Sequence, residues 1–202
     1  MDTPASLTRK RIGCIGCGNM GGAILAGLAA SSLDCTLYSH TRTAARMAPL
    51  EAAGVTRLDS AGELARKARY VVMAVKPYQI EALLAGMAPD FGPDTVVISV
   101  AAGISIARLQ AAVGGRCPVV RCMPNTPALV GKGVFALCFD DKVPAAGKED
   151  ILRFFSQLGV CLELPESRFT AFSALIGAGP AYVFGMMQGL VQAGVTLGLG
   201  RK

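Results

Sequence analysis

The stretch Ile12-Gly13-Cys14-Ile15-Gly16-Cys17-Gly18-Asn19-Met20-Gly21 decides the fold. Its first four residues form an apolar run of strand length. The glycines at 16, 18 and 21 follow at once in G-x-G-x-x-G spacing, and an apolar helical pattern opens over 21–31. A glycine triplet alone says little in a chain with 24 glycines. The strand before it and the helix behind it give it meaning. In that setting Gly16 permits the tight turn, Gly18 lets a pyrophosphate reach the backbone, and Gly21 lets helix and strand pack closely. The phosphates are expected on the helix N-terminus, where free amides and the dipole point. Ile15, Cys17, Asn19 and Met20 complete the expected contact loop.

Outward from that loop, apolar runs recur at 35–39, 70–75, 95–100 and 118–122. Helical stretches at 43–53, 63–67, 79–87 and 104–113 separate them. The runs lack strict alternation, which suits strands buried on both faces. Strands separated by helices imply parallel βαβ units, so the class is α/β: a Rossmann-type, doubly wound, mainly parallel sheet. Beyond Pro127 come a strand at 134–139, a helix at 144–157 and a strand at 160–164, and from Ser167 onward the chain reads as helix. A boundary is expected near 164–166, dividing residues 1–165 from residues 166–202. The second piece is too short to make its own core, so it must pack on something else.

Composition narrows the classes. With 52% hydrophobic and 17% charged residues the chain is not a disordered tail. A formal charge of +6 favours anionic ligands. The basic residues are dispersed, the densest group being Arg9, Lys10 and Arg11, so nucleic acid is not expected. A phosphate-rich small molecule would use the same charge. The seven cysteines include Cys14-x-x-Cys17, the spacing of half a zinc site. No second pair follows and His40 is the one histidine, so no metal is expected. Buried thiols in a reducing compartment fit better and point to the cytoplasm.

No charge lies between Arg168 and Arg201, a span long enough for a membrane helix. Gly185-xxx-Gly189 and Gly194-xxx-Gly198 even have the spacing of packed membrane helices. Pro180, Gln188, Gln192 and the glycines interrupt the span, however, and a helix buried on all sides in an oligomer has the same signature. No membrane association is expected.

The end of the second run chooses the cofactor. An NAD site places Asp or Glu there to hold the ribose hydroxyls. Tyr38-Ser39-His40-Thr41-Arg42-Thr43 has no carboxylate. Ser39, His40, Thr41 and Arg42 suit a 2′-phosphate, which a guanidinium engages with a planar pair of donors. NADP(H) is therefore expected ahead of NAD(H). Two further loops follow strands, where such a sheet places its ligand: Ala74-Val75-Lys76-Pro77 and Val100-Ala101-Ala102-Gly103. Arg121-Cys122-Met123-Pro124-Asn125-Thr126-Pro127 follows the next, and its prolines make a stiff loop presenting an amide and a hydroxyl. Asn125 and Thr126 are the catalytic candidates. Later, Pro180 sits where a first helical turn accepts it.

Taken in order, GCGNMG at 16–21, AVKP at 74–77, VAAG at 100–103, RCMPNTPALVGKG at 121–133 and GAGPAYVF at 177–184 resemble the pyrroline-5-carboxylate reductase family. The resemblance runs from Arg11 to Lys202. It implies a Rossmann domain followed by an all-helical dimerisation domain interleaved between protomers, which residues 166–202 would begin. A homodimer or larger homo-oligomer follows. It also implies NAD(P)H-dependent reduction of Δ1-pyrroline-5-carboxylate to L-proline, the last step of proline biosynthesis. Family members run on through an SPGGTT-like segment that forms the substrate-carboxylate pocket. This chain is therefore expected to be cut short of it, and to be inactive by itself if that pocket is essential. Serine is common around the family's GPAY motif, where this chain has Ile176 and Ala178.

The implied chemistry is hydride transfer from C4 of the reduced nicotinamide to the C=N carbon, with the ring nitrogen already protonated. Asn125 and Thr126 are expected on the nicotinamide side, and Tyr182 is expected to pack rather than donate a proton. A β-hydroxyacid dehydrogenase or another imine reductase is the first alternative. Such dehydrogenases generally need a lysine on the helix after the domain link, and residues 173–200 have none. A non-catalytic NADP-binding dimer scaffold is the second alternative. It would bind cofactor without substrate-dependent oxidation.

Overall fold

The computed structural model describes Arg9 to Arg201, apart from the side chain of Ala44. In chain order the elements are β1 (Lys10–Ile15), α1 (Asn19–Ala29), β2 (Cys35–His40), α2 (Ala48–Ala52), β3 (Thr56–Arg57), α3 (Ala61–Lys67), β4 (Tyr70–Met73) and α4 (Pro77–Met87). There follow β5 (Val96–Ser99), α5 (Ile106–Ala112), β6 (Val119–Met123), β7 (Gly133–Phe139), α6 (Ala145–Ser156), β8 (Gly159–Glu163), α7 (Phe169–Phe172) and α8 (Gly179–Thr196).

One sheet holds all eight strands in the order 3-2-1-4-5-6-7-8. Every neighbouring pair is parallel except β6 with β7. That exception has a simple cause. A loop without a crossover helix joins β6 to β7, so the chain returns beside itself, whereas α6 carries it from β7 into a parallel β8. Alternate strand residues face opposite layers. Tyr70, Val72, Ile98 and Val120 pack with Leu25 of α1, Leu50 of α2 and Phe155 of α6. Val71, Met73, Val97 and Val119 pack with Leu64 of α3, Leu84 of α4 and Leu109 of α5. A strand read by two cores has no polar face, which is why the sequence shows apolar runs rather than alternation.

Capping sets several helix starts. Ser60 Oγ accepts the Glu63 N–H at 3.1 Å to open α3, and Ser105 Oγ accepts the Arg108 N–H at 3.3 Å to open α5. The stretch 43–53, read as one helix, is instead a 3-10 turn (Ala44–Arg46) followed by α2. Pro49, in the first turn of α2, has no N–H to give to a preceding helical turn. The two-residue β3, exposed along its length, carries no apolar signal and escaped the sequence pattern.

After β8 a 3-10 turn (Glu166–Arg168) leads into α7, whose Phe169 and Phe172 sit with Ala136 in a small third core. A π-type turn (Ser173–Gly177) precedes α8, with Pro180 in its first turn. None of the 18 residues of α8 is buried.

Candidate active site

The strand order reverses at β1 and β4, and the loops leaving the carboxyl ends of β1, β2, β4, β5 and β6 form one rim. At its centre Gly16 has φ +94° and donates its N–H to His40 O at 2.9 Å. A methyl group on Gly16 would lie 2.8 Å from Ala74 O, and one on Gly21 would lie 2.0 Å from Gly16 O. The first and third glycines are therefore required by the protein's own backbone. Gly18 differs: a methyl group there would meet one atom within 4 Å, Arg46 Nη1 at 3.8 Å. It faces outward at the start of α1, which has no side-chain cap and no acidic residue in its first turn. The first amides of α1 are left to whatever approaches Gly18.

Both cysteines of this loop point inward. Ser39 Oγ donates to Cys14 O at 3.2 Å, which leaves the Cys17 thiol to donate to Ser39 Oγ at 2.7 Å. Met47 Sδ lies 3.4 Å from Cys17 Sγ. Burial pushes both thiols up, Cys14 far above its ordinary value. For Cys17 the Arg46 charge pulls the other way. Ser39 itself is fully buried, and its hydroxyl is engaged with Cys14 and Cys17. His40 is half-buried, and its Nδ1 donates to Leu58 O at 3.1 Å. Thr41 Oγ1 accepts the Thr43 N–H at 3.4 Å, and Arg42 is exposed with no ion pair among the described residues.

On the other side of β1 the rim is backbone and small side chains. Ala74 N–H bonds Ile15 O at 2.9 Å, and Val75 is half-buried beside Gly16. Lys76 is the N-cap of α4, its N–H donating to Gln79 Oε1 at 3.3 Å, and its side chain is exposed like Pro77 behind it. Val100 N–H reaches Met73 O at 3.2 Å. Ala101 is buried while Ala102 and Gly103 are exposed.

Asn125 is held inside the fold. Only 6% exposed, it accepts the Val134 N–H at 2.9 Å and donates Nδ2 to Ile176 O at 3.3 Å. It ties β7 to the turn before α8. Both ends of the amide are engaged inside the fold. Thr126 is exposed beside it, and its hydroxyl makes no hydrogen bond among the described residues.

Two family models match the chain: "NADP oxidoreductase coenzyme F420-dependent" over residues 11–103, and "Pyrroline-5-carboxylate reductase dimerisation" over residues 166–202. A pyrroline-5-carboxylate reductase of Pseudomonas aeruginosa is 36% identical over 199 residues, covering 97% of this chain and 73% of that one. The chain belongs to the pyrroline-5-carboxylate reductase family. Solved structures of the family agree in fold. A pyrroline carboxylate reductase of Plasmodium falciparum with NADP bound superposes with a TM-score of 0.85 at 30% identity, covering 95% of this chain and 71% of that one. The pyrroline-5-carboxylate reductase of Coxiella burnetii gives 0.87 at 30% identity, covering 96% and 73%.

Two features of this pyrroline-5-carboxylate reductase family member lay outside the sequence reading. One is Arg46, whose guanidinium reaches the nucleotide loop from the turn after β2. The signal was an arginine four residues after Arg42, hidden by reading 43–53 as a single helix. The other is Glu166. Its Oε1 accepts the Ile106 N–H at 2.8 Å and Arg121 Nη1 at 2.9 Å, and the Arg121 guanidinium stacks 4.6 Å over the Phe169 ring. A carboxylate at the N-terminus of α5 answers that helix's free amides and a cation together, and so fastens the helical segment to the sheet.

Proposed function

We propose that this chain is an NADPH-preferring reductase of Δ1-pyrroline-5-carboxylate, producing L-proline, with NADH as the weaker hydride donor. The observation that carries the cofactor reading is the outward-facing Gly18 on an uncapped α1, beside a strand end whose exposed side chains include Arg42 and no carboxylate. The residues present fit a dinucleotide phosphate: amides for the pyrophosphate, a planar cation for the 2′-phosphate, and small residues where the ribose and nicotinamide must lie close to backbone. The Plasmodium relative with NADP bound supports the same reading. When bound there, the reduced nicotinamide supplies the hydride for the C=N carbon.

The chain's own part is position. Gly16 to Gly21 hold one end of the dinucleotide, and Ala74 to Pro77 and Val100 to Gly103 line its path towards β6. Thr126 offers a free hydroxyl beside the reacting ring. Holding donor and acceptor in contact can account for up to about 7–11 kcal/mol of a barrier. The loops 74–77, 100–103 and 123–126 contain no carboxylate and no imidazole. A substrate protonated by solvent fits that set, since none of these loops carries an acid to protonate the ring nitrogen.

Residues 1–165 form the cofactor-binding unit in this reading and 166–202 begin the helical one; their outermost residues lie outside the described ones. The run Glu166–Thr196 is long and apolar enough to cross a membrane. The match to the dimerisation model and the exposed Phe184, Met186 and Leu190 support a second copy of the chain as its cover instead. A homodimer or larger homo-oligomer in the cytoplasm, with no nucleic-acid partner, completes the proposal.

The test is oxidation of NADPH, followed by nicotinamide absorbance, with and without Δ1-pyrroline-5-carboxylate. Substrate-dependent oxidation faster with NADPH than with NADH is expected. Tight NADPH binding with no turnover would select the scaffold reading.

A further inference from the structure

We propose that Arg46 is a second cofactor-binding residue, a clamp over the dinucleotide pyrophosphate at Gly18, with a task separate from that of Arg42. The inference rests on the cofactor reading above. Arg46 Nη1 stands 3.8 Å from the point where a side chain on Gly18 would begin, and beyond the adjoining residues it is the one atom that near. Its charge reaches far enough into the loop to favour the Cys17 thiolate. The turn that carries it is fastened from below. Met47, the next residue, is fully buried, with Sδ 3.4 Å from Cys17 Sγ. The backbone that carries the guanidinium is therefore held beside the loop by a neighbour in the core.

Electrostatics says what belongs between them. The start of α1 carries about half a positive charge, uncapped and with no acidic residue in the first turn. Arg46 brings a full positive charge to the same spot, with no ion-pair partner among the described residues. Two positive poles facing each other without an anion repel. A pyrophosphate between them satisfies both and accepts a charge-assisted pair of hydrogen bonds from the guanidinium. The pyrophosphate is common to NADPH and NADH, while the 2′-phosphate belongs to NADPH alone. Arg46 therefore adds affinity without selectivity, and Arg42 supplies the selectivity.

The experiment titrates NADPH and NADH, by nicotinamide fluorescence, into the native chain and into Arg46→Ala, Arg46→Lys and Arg42→Ala. Arg46→Ala is expected to raise both dissociation constants by the same factor, about 10- to 150-fold for hydrogen bonds to a charged group. Arg46→Lys should recover part of that loss in both, and Arg42→Ala should weaken NADPH more than NADH. Loss of NADPH alone on Arg46→Ala would make Arg46 a 2′-phosphate reader and overturn the clamp. Unchanged binding of both, with the native chain binding normally, overturns it as well. A native chain that binds neither dinucleotide sinks the cofactor reading itself. Arg46 is exposed, so an unchanged melting curve checks that the variants remain folded.

Discussion

At the scale of single residues, the three glycines of the nucleotide loop do different work. Gly21→Ala forces a methyl group to 2.0 Å from Gly16 O, a backbone atom that cannot move without shifting β1. The expected outcome is a loss of about 1–3 kcal/mol in stability, read from denaturant midpoints, together with loss of NADPH binding. Gly18→Ala meets no such clash, and its penalty should fall on binding while the midpoint barely moves. Arg42→Glu should weaken NADPH more than NADH in a fluorescence titration, and equal losses would remove the 2′-phosphate assignment. The steric need for Gly16 and Gly21 was legible from spacing alone, because a G-x-G-x-x-G turn between strand and helix has few geometric solutions. The internal hydrogen bonds of Ser39 and Asn125 were not legible in that way. Their side chains point inward, and which way a polar side chain points is settled by neighbours distant in sequence.

Among the elements, the joint between sheet and helical segment has one polar fastening and one apolar. Glu166→Ala breaks the Arg121 pair and leaves the Ile106 N–H unanswered. Arg121 is mostly buried and Glu166 is about one-third exposed, so a cost of about 1–2 kcal/mol is expected after discounting for solvent. A double-mutant cycle with Arg121→Ala should show coupling between the two positions, and strictly additive losses would refute the fastening. Phe169→Ala empties part of the small third core and should cost about 3–5 kcal/mol by chemical denaturation. Most elements were legible because their apolar runs are local signals. The broken helix at 43–53, the two-residue β3 and the direction of β7 were not. Each depends on where the chain must arrive rather than on what it prefers locally.

For the whole molecule, α8 presents Phe184, Met186, Leu190 and Val191 on a helix that buries nothing within its own chain. So much exposed apolar surface is expected to be covered by a second copy. Sedimentation velocity should give a dimer or larger species, and Leu190→Lys should shift it towards monomer; a native monomer at all concentrations would end that expectation. The buried thiols set a limit in alkali. Burial raises Cys117 and Cys161 to about 11 from an ordinary 9.0. Between those values the unfolded chain has released protons that the folded chain still holds, so stability falls as pH rises from 9 towards 11. The contribution is fully present below 9. Thermal midpoints measured across that window should decline, and Cys117→Ala should make the decline shallower. The sequence by itself determined the α/β class, the glycine-rich loop between strand and helix and the family resemblance, because strand–turn–helix patterning and glycine spacing are short-range constraints. Only the tertiary structure decided that Ser39 and Asn125 are internal ties, that Arg46 reaches Gly18, and that Glu166 joins sheet to helix. These are contacts between residues far apart in the chain, and packing, not local preference, brings them together.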